Sequence, residues 1–323
     1  TFSQASGTTI GRPEQVDLYA GTTTLMSRTN HYYEAEDIGG VANMFTYTSQ
    51  TTNEQFSNGS TPSISTKVVY QYEPANQGNV QYGNLTHIKE YDDINAATHY
   101  RETRRSYYPN TTNWIVGSVG VEGVYDSAGN LQSGTWYHYD GSNGNASTPP
   151  SKGALTRLSK FVPIACSAVP GGGGSGCVNA RQTIDTYSTY DVYGNLKTTT
   201  TYTGYGYRTF TSSFGLVQES PPTTLPRTTT ITYESGYNLY PVQVSNPLGH
   251  LTKFEIYGFK NIDGILISLP IDSFQRQPGL LAAVIDPNGI TTKYEYDPFG
   301  RLHAVYDAYS FSGYGDEYPW NGN

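Results

Sequence analysis

A bend of the form [Asn/Asp]-x-x-Gly-x-[Leu/Ile] recurs along this chain, and a chain that bends so tightly so often is built from β-hairpins. The fullest copy is KYEYDPFGRLHAVYD, residues 293–307. Tyr294 and Tyr296 share parity, so a strand puts both rings on one face and Glu295 on the other. Asp297 can hydrogen-bond the backbone ahead of it, and Pro298 pre-sets φ. Gly300 can take the left-handed conformation that closes a hairpin with a bulge. Arg301 to Val305 then leave as the return strand. Four further copies are well formed: Tyr125-Asp126-Ser-Ala-Gly129, Tyr190-Asp191-Val-Tyr-Gly194, Asn246-Pro-Leu-Gly249 and Asp286-Pro-Asn-Gly289. Val80 to Thr86 keeps only the turn and exit, and Lys152 to Arg157 is weaker still. One such bend is commonplace, but five define a repeat. Its irregular spacing implies loops or long hairpin arms inserted between units.

The strands these bends join are written in tyrosine and threonine. The 323 residues include 30 Tyr and 35 Gly, with charged residues at 14%. Thr198 to Thr201 and Thr228 to Thr230 are threonine runs, which suit pleated, half-buried surfaces. No long segment repeats apolar residues at helical spacing, so the chain is expected to be all-β, with a helical turn tolerated only over Asp92 to Tyr100. The organisation expected is an N-terminal β segment over 1–64 that matches the repeat poorly, then repeat sheet over 65–323. Polar or glycine-rich loops near 141–151 and 166–177 decorate that sheet.

Charge and cysteine content bound the partners and the compartment. A net charge of −8 and a pI near 5.2 leave no basic footprint for nucleic acid. No apolar run approaches the roughly 18 residues of a spanning helix, so no membrane insertion is expected. The sequence begins at Thr1 without Met, which suggests either processing or excision from a longer chain. Cys166 and Cys177 flank a glycine loop that cannot hold its own ends together. A disulfide there contributes about 3 kcal/mol by chain entropy and points to an oxidising compartment. The other reading is two thiols in a reducing one. Asn58, Asn84, Asn110 and Asn145 fit the glycosylation pattern, a match that also arises by chance in a Thr/Ser-rich chain.

Catalytic chemistry finds little support. The histidines at 31, 87, 99, 138, 250 and 303 lack metal-ligand spacing, and each reads as a surface or strand residue. Glu34, Glu36 and Asp37 form the densest acidic cluster, a calcium-compatible grouping that reads more simply as a solvated loop. The glycines at 171–174 lack the Lys-Ser/Thr ending of a phosphate loop, and no Gly-x-Ser-x-Gly elbow occurs. Nothing singles out a carboxylate pair for glycoside hydrolysis. No cofactor is expected.

These units resemble the YD repeat of the Rhs family, whose Tyr-Asp pair stands here at Tyr296-Asp297, Tyr190-Asp191 and Tyr125-Asp126. Residues Tyr107 to Gly117, an aromatic strand leading into Trp114 and Gly117, also look like a segment recurring in Rhs and toxin-complex proteins. The resemblance covers most of 65–307. It implies successive hairpins laid into one continuous, spirally wound antiparallel sheet, the wall of a hollow shell. Bacterial relatives enclose a toxic C-terminal segment, and teneurins use theirs in adhesion. Rhs toxins also self-cleave at an Asp-Pro-x-Gly motif preceded by acidic residues. Asp286 to Gly289 and Asp297 to Gly300 match only the short part and read as hairpin turns. The expected function is thus a non-enzymatic extracellular wall, container or scaffold. Its partners are the remainder of a parent chain, an enclosed toxin segment or further copies of itself. An adhesive or filament-forming protein that binds through open sheet edges, or holds surface glycans on tyrosine faces, is the alternative; a secreted glycan hydrolase is the third class.

Overall fold

The computed structural model describes residues 11–38, 41–57, 60–73, 82–141, 149–162, 180–210, 216–268 and 278–307. Among them every regular element is a β-strand. In chain order they begin with β1 (Gln15–Ala20), β2 (Thr24–Ile38), β3 (Val41–Gln55), β4 (Ile64–Tyr72), β5 (Leu85–Tyr91) and β6 (Arg101–Tyr107). They continue with β7 (Val119–Asp126), β8 (Leu131–Tyr139), β9 (Leu155–Val162) and β10 (Ala180–Tyr190). Next come β11 (Leu196–Tyr202), β12 (Gly206–Phe210), β13 (Leu216–Ser220), β14 (Pro226–Tyr233) and β15 (Pro241–Ser245). The series ends with β16 (Leu251–Ile256), β17 (Leu281–Ile285), β18 (Thr291–Tyr296) and β19 (Leu302–Tyr306). All nineteen belong to one hydrogen-bonded sheet, and each registered pairing is antiparallel. Residues 92–100 form turns and bends, not the helical turn the sequence allowed.

Pairing follows chain order from β1 to β10, as short connections between antiparallel strands dictate. At β10 the order branches. The first half of β10 pairs with β12 and the second half with β11, while β14 returns beside β11 and β13 beside β12. Thereafter β14 to β19 again pair in sequence.

Two compact units result. The first is Thr1–Ile184 with Tyr205–Pro221, and the second is Asp185–Gly204 with Pro222–Asn323. In the first unit aromatic rings lie on bare backbone. Tyr108 covers Gly120 of β7, Tyr125 covers Gly123, and Phe161 covers Gly134 of β8 while meeting Trp136 at 4.3 Å. Arg104 stacks over the Tyr125 ring, 4.3 Å from its centre. In the second unit the threonine runs face each other. Thr189 bonds Thr198 at 2.6 Å and Thr200 bonds Thr228 at 2.9 Å, so hydroxyls on paired strands satisfy one another.

Candidate functional site

The residues the sequence singles out converge on one repeated device, a turn tied by its own first side chain. At Asp297, Oδ1 accepts from the Phe299 and Arg301 N–H groups, both at 2.9 Å, and Oδ2 accepts from Arg301 Nε. The backbone closes around it: Gly300 N–H donates to the Asp297 carbonyl, and Asp297 N–H to that of Arg301. Gly300 has φ 75°, a region that costs a side-chain-bearing residue energy. The same geometry recurs at Asp126, Asp191, Asn246 and Asp286, whose Oδ1 accepts from the second and fourth residues ahead. The glycines Gly129, Gly194, Gly249 and Gly289 all have φ between 80° and 89°. A sixth copy, Asn261 with Gly264, was not singled out from the sequence, although Asn261-Ile-Asp-Gly264-Ile265 fits the pattern.

These ties also set the charge state of the turns. The Asn130 side chain, then backbone N–H donors, hold the Asp126 carboxyl below the usual range. At Asp297 the Arg301 N–H is the leading cause, with the Arg301 side chain adding to it. Where the turn is longer, a carboxylate still does the tying. Asp140 accepts N–H bonds from Ser151, Lys152, Gly153 and Ala154 across an insertion. Glu73 accepts from Tyr82 and Asn84, and Glu234, 2% exposed, accepts from Gly236, Tyr237 and Leu239. Replacing Glu234 by Ala orphans three backbone donors and is expected to cost about 2 kcal/mol in urea unfolding. Glu234→Gln keeps an acceptor and recovers part of that loss.

A tyrosine stands at the bulge beside the turns at Asp126, Asp140, Asp191, Glu234 and Asp297. Tyr125 pairs with Leu131, Tyr139 with Leu155, Tyr190 with Leu196, Tyr233 with Pro241 and Tyr296 with Leu302. In every case the second residue of the return strand is extra: Gln132, Thr156, Lys197, Val242 and His303 have no opposite number. At three bulges, after Leu85, Val119 and Leu196, the carbonyl of the residue before the extra one is taken by a tyrosine from the neighbouring strand. Tyr107 Oη donates to Leu85 O at 2.8 Å, Tyr139 Oη to Val119 O at 3.0 Å, and Tyr233 Oη to Leu196 O at 3.1 Å. Asparagines after the glycine join turn to turn, Asn84 reaching Val116 O and Asn195 reaching Asn238 O.

One polar cluster lies off the repeat. His138 of β8, 2% exposed, accepts at Nε2 from Arg157 Nη2 of β9 at 3.1 Å, with Arg208 Nη1 of β12 at 3.5 Å. Arg208 also stacks over Trp136. Burial, followed by the charges of Arg157 and Arg208, brings the imidazole down to about 3. The imidazole is therefore neutral at physiological pH, and Nε2 accepting from arginine places its proton on Nδ1, which has no acceptor among the described residues.

Other sequence-derived positions resolve differently. No grouping of three or more His, Cys, Asp or Glu that could hold a metal is found among the described residues. Glu34 accepts from Tyr47 Oη at 3.1 Å, whereas the side chains of Glu36 and Asp37 lie outside the described residues. Cys166, Cys177, Asn58 and Asn145 lie outside them too. Asn84 Nδ2 donates to Glu73 and Val116 O, and Asn110 Nδ2 to Pro150 O, so the nitrogens that glycosylation modifies are engaged at both described sequons.

Comparison with known proteins bears on the repeat directly. The sequence profile described as RHS Repeat matches residues 279–310, the stretch holding the turns at Gly289 and Gly300. Among solved structures, the chain is similar to one of TcdB2-TccC3-Cdc42, at 12% identity and a TM-score of 0.42, covering 93% of this chain and 16% of that one. A structure of TcdB2-TccC3 gives 11% identity and a TM-score of 0.42, covering 93% and 17%. A Photorhabdus luminescens Tc holotoxin pore carrying a TccC3 mutation gives 12% and 0.42, covering 92% and 16%. The chain thus spans less than a fifth of the length of these structures. No curated protein sequence matches it.

Proposed function

We propose, from the match of residues 279–310 to the RHS Repeat profile, that the chain is a stretch of Rhs/YD-repeat wall, a non-enzymatic β-structure working mechanically as part of a larger extracellular polypeptide. The observation that carries this reading is the six-fold recurrence of one tied turn, at Asp126, Asp191, Asn246, Asn261, Asp286 and Asp297. A turn that supplies its own acceptor needs no covering layer to satisfy its backbone, so hairpins can be added side by side without a thick core. Tyr107, Tyr139 and Tyr233 serve the same end, since each combines an apolar ring with a hydroxyl that closes a freed carbonyl.

The parent polypeptide supplies the wall's neighbours on this reading, and a segment it encloses is the expected cargo. The test is negative-stain microscopy of the parent polypeptide, with limited proteolysis of the same sample. Closed particles that shelter a segment from protease support the wall reading; extended particles with no sheltered segment overturn it. Hydrolysis of a polysaccharide, abolished by one carboxylate substitution, overturns the non-enzymatic part.

A second reading, assembly through open edges, has its own observation. Among the described residues β1 pairs only with β2, and β19 only with β18. Val16 and Leu18 on β1 are 52% and 62% exposed. Exposed apolar edge strands invite further pairing. Filaments that lengthen with protein concentration, and vanish in Leu18→Lys, favour this reading over the wall.

A further inference from the structure

A groove of about 540 Å³ opens across β2 to β5 in the first unit. Its size falls within the roughly 300–1,000 Å³ of small-ligand sites. Tyr47 and Tyr72 form one wall, ring centres 4.6 Å apart and tilted by 47°. Gln50 of β3 and Gln71 of β4 line it as well, Gln71 lying opposite His87 of β5 in the register. Glu34 stands at its side, one oxygen already accepting from Tyr47.

The chemistry of this lining is selective. The Gln50 and Gln71 side chains make no hydrogen bond to any described residue, and they offer two amides, each both donor and acceptor. Burial pushes His87 down, so its ring is neutral at physiological pH; its Nδ1 is hydrogen-bonded with Thr86 Oγ1, which leaves Nε2 to face a ligand. No lysine or arginine is among the lining residues, and the one fixed charge is the Glu34 carboxylate. Anionic ligands are therefore repelled. A lipid tail has no reason to enter a groove lined by amides and a carboxylate. Paired amides beside aromatic rings match vicinal hydroxyls on an apolar ring face. We propose that this groove binds a neutral oligosaccharide. The inference does not rest on the wall reading, because the site is complete within β2 to β5.

Saturation-transfer NMR on the whole chain with maltotriose, cellotriose and triacetylchitotriose, each at millimolar concentration, tests the proposal. Sialyllactose serves as the acidic comparison. At least one neutral trisaccharide is expected to receive saturation, more strongly than sialyllactose. Gln50→Ala and Gln71→Ala change partly or fully exposed side chains and leave the fold intact, as an unchanged thermal melt will show. Each is expected to weaken binding about fivefold, the effect of losing one neutral hydrogen bond. The proposal is overturned if none of the three neutral sugars responds. Equal or stronger transfer to sialyllactose overturns it too, as does binding that survives unchanged in the double variant.

Discussion

Between pH 6.5 and pH 5 the unit that holds His138 is expected to lose about 2 kcal/mol of stability, at about 1.4 kcal/mol for each pH unit. The sign follows from the direction of the shift. Burial and the arginine charges bring His138 from an ordinary 6.5 to about 3 in the folded chain. Across that interval the unfolded chain binds a proton that the folded one refuses, so stability rises with pH up to the ordinary value and falls as acid is added. The carboxylates behave differently. Burial opposes the ionised forms of Asp140 and Glu234, but their backbone donors outweigh it and hold both below the usual range. Their contribution is intact above ordinary carboxylate values and is lost only in stronger acid. Mild acid thus isolates histidine. His87 is lowered in the same direction, by burial first, so His87→Gln is the necessary comparison. Unfolding in urea can be followed by Trp136, which is 5% exposed where Trp114 is 72% exposed. His138→Gln keeps an acceptor for Arg157 and should flatten most of the slope. A variant as acid-labile as the parent would show that the cluster accommodates the proton.

The parts of this fold visible in the sequence are those held by local bonds. Asp297 and Arg301 are four residues apart, so the tie, the glycine and the return strand are all written within one short window. Asn261 to Ile265 carried the same signal without a Tyr-Asp pair, and its geometry shows it to be an equal copy. Asp140 was unreadable for a different reason. Its donors lie eleven to fourteen residues ahead, beyond an insertion that no turn rule spans. The alternation Gly134, Trp136, His138 does place the histidine on a buried face, as the strand's burial pattern shows. What alternation cannot supply is Arg208, seventy residues on, which reaches the site only because β12 pairs along the first half of β10. The groove at Gln50 and Gln71 is likewise a product of register, with no motif to announce it.

Gly120→Val is expected to cost at least about 3 kcal/mol, the upper end of what overpacking a tight site exacts. Gly120 is buried and is the extra residue where Ser106 pairs with Val121 and Tyr107 with Val119. A Cβ built there falls inside the Tyr108 ring. To admit that atom the ring must leave its place over the strand, while the backbone of Tyr108 is held by its N–H bond to Ser118 O. The glycine is therefore required for the space above it. Its φ is not in the left-handed region that explains the turn glycines. That distinction can be measured with a double-mutant cycle. Tyr108→Ala alone removes a large half-buried ring and is destabilising by about 2 kcal/mol. In the Tyr108→Ala background the added Gly120→Val side chain meets a hollow in place of a ring, and its further cost should fall below about 1 kcal/mol. Near-additive losses would mean that backbone conformation, not the ring, demands glycine. The outcome matters for the sheet as a whole: where so few side chains are buried, rings set over strand glycines supply close packing that a second layer provides in thicker folds.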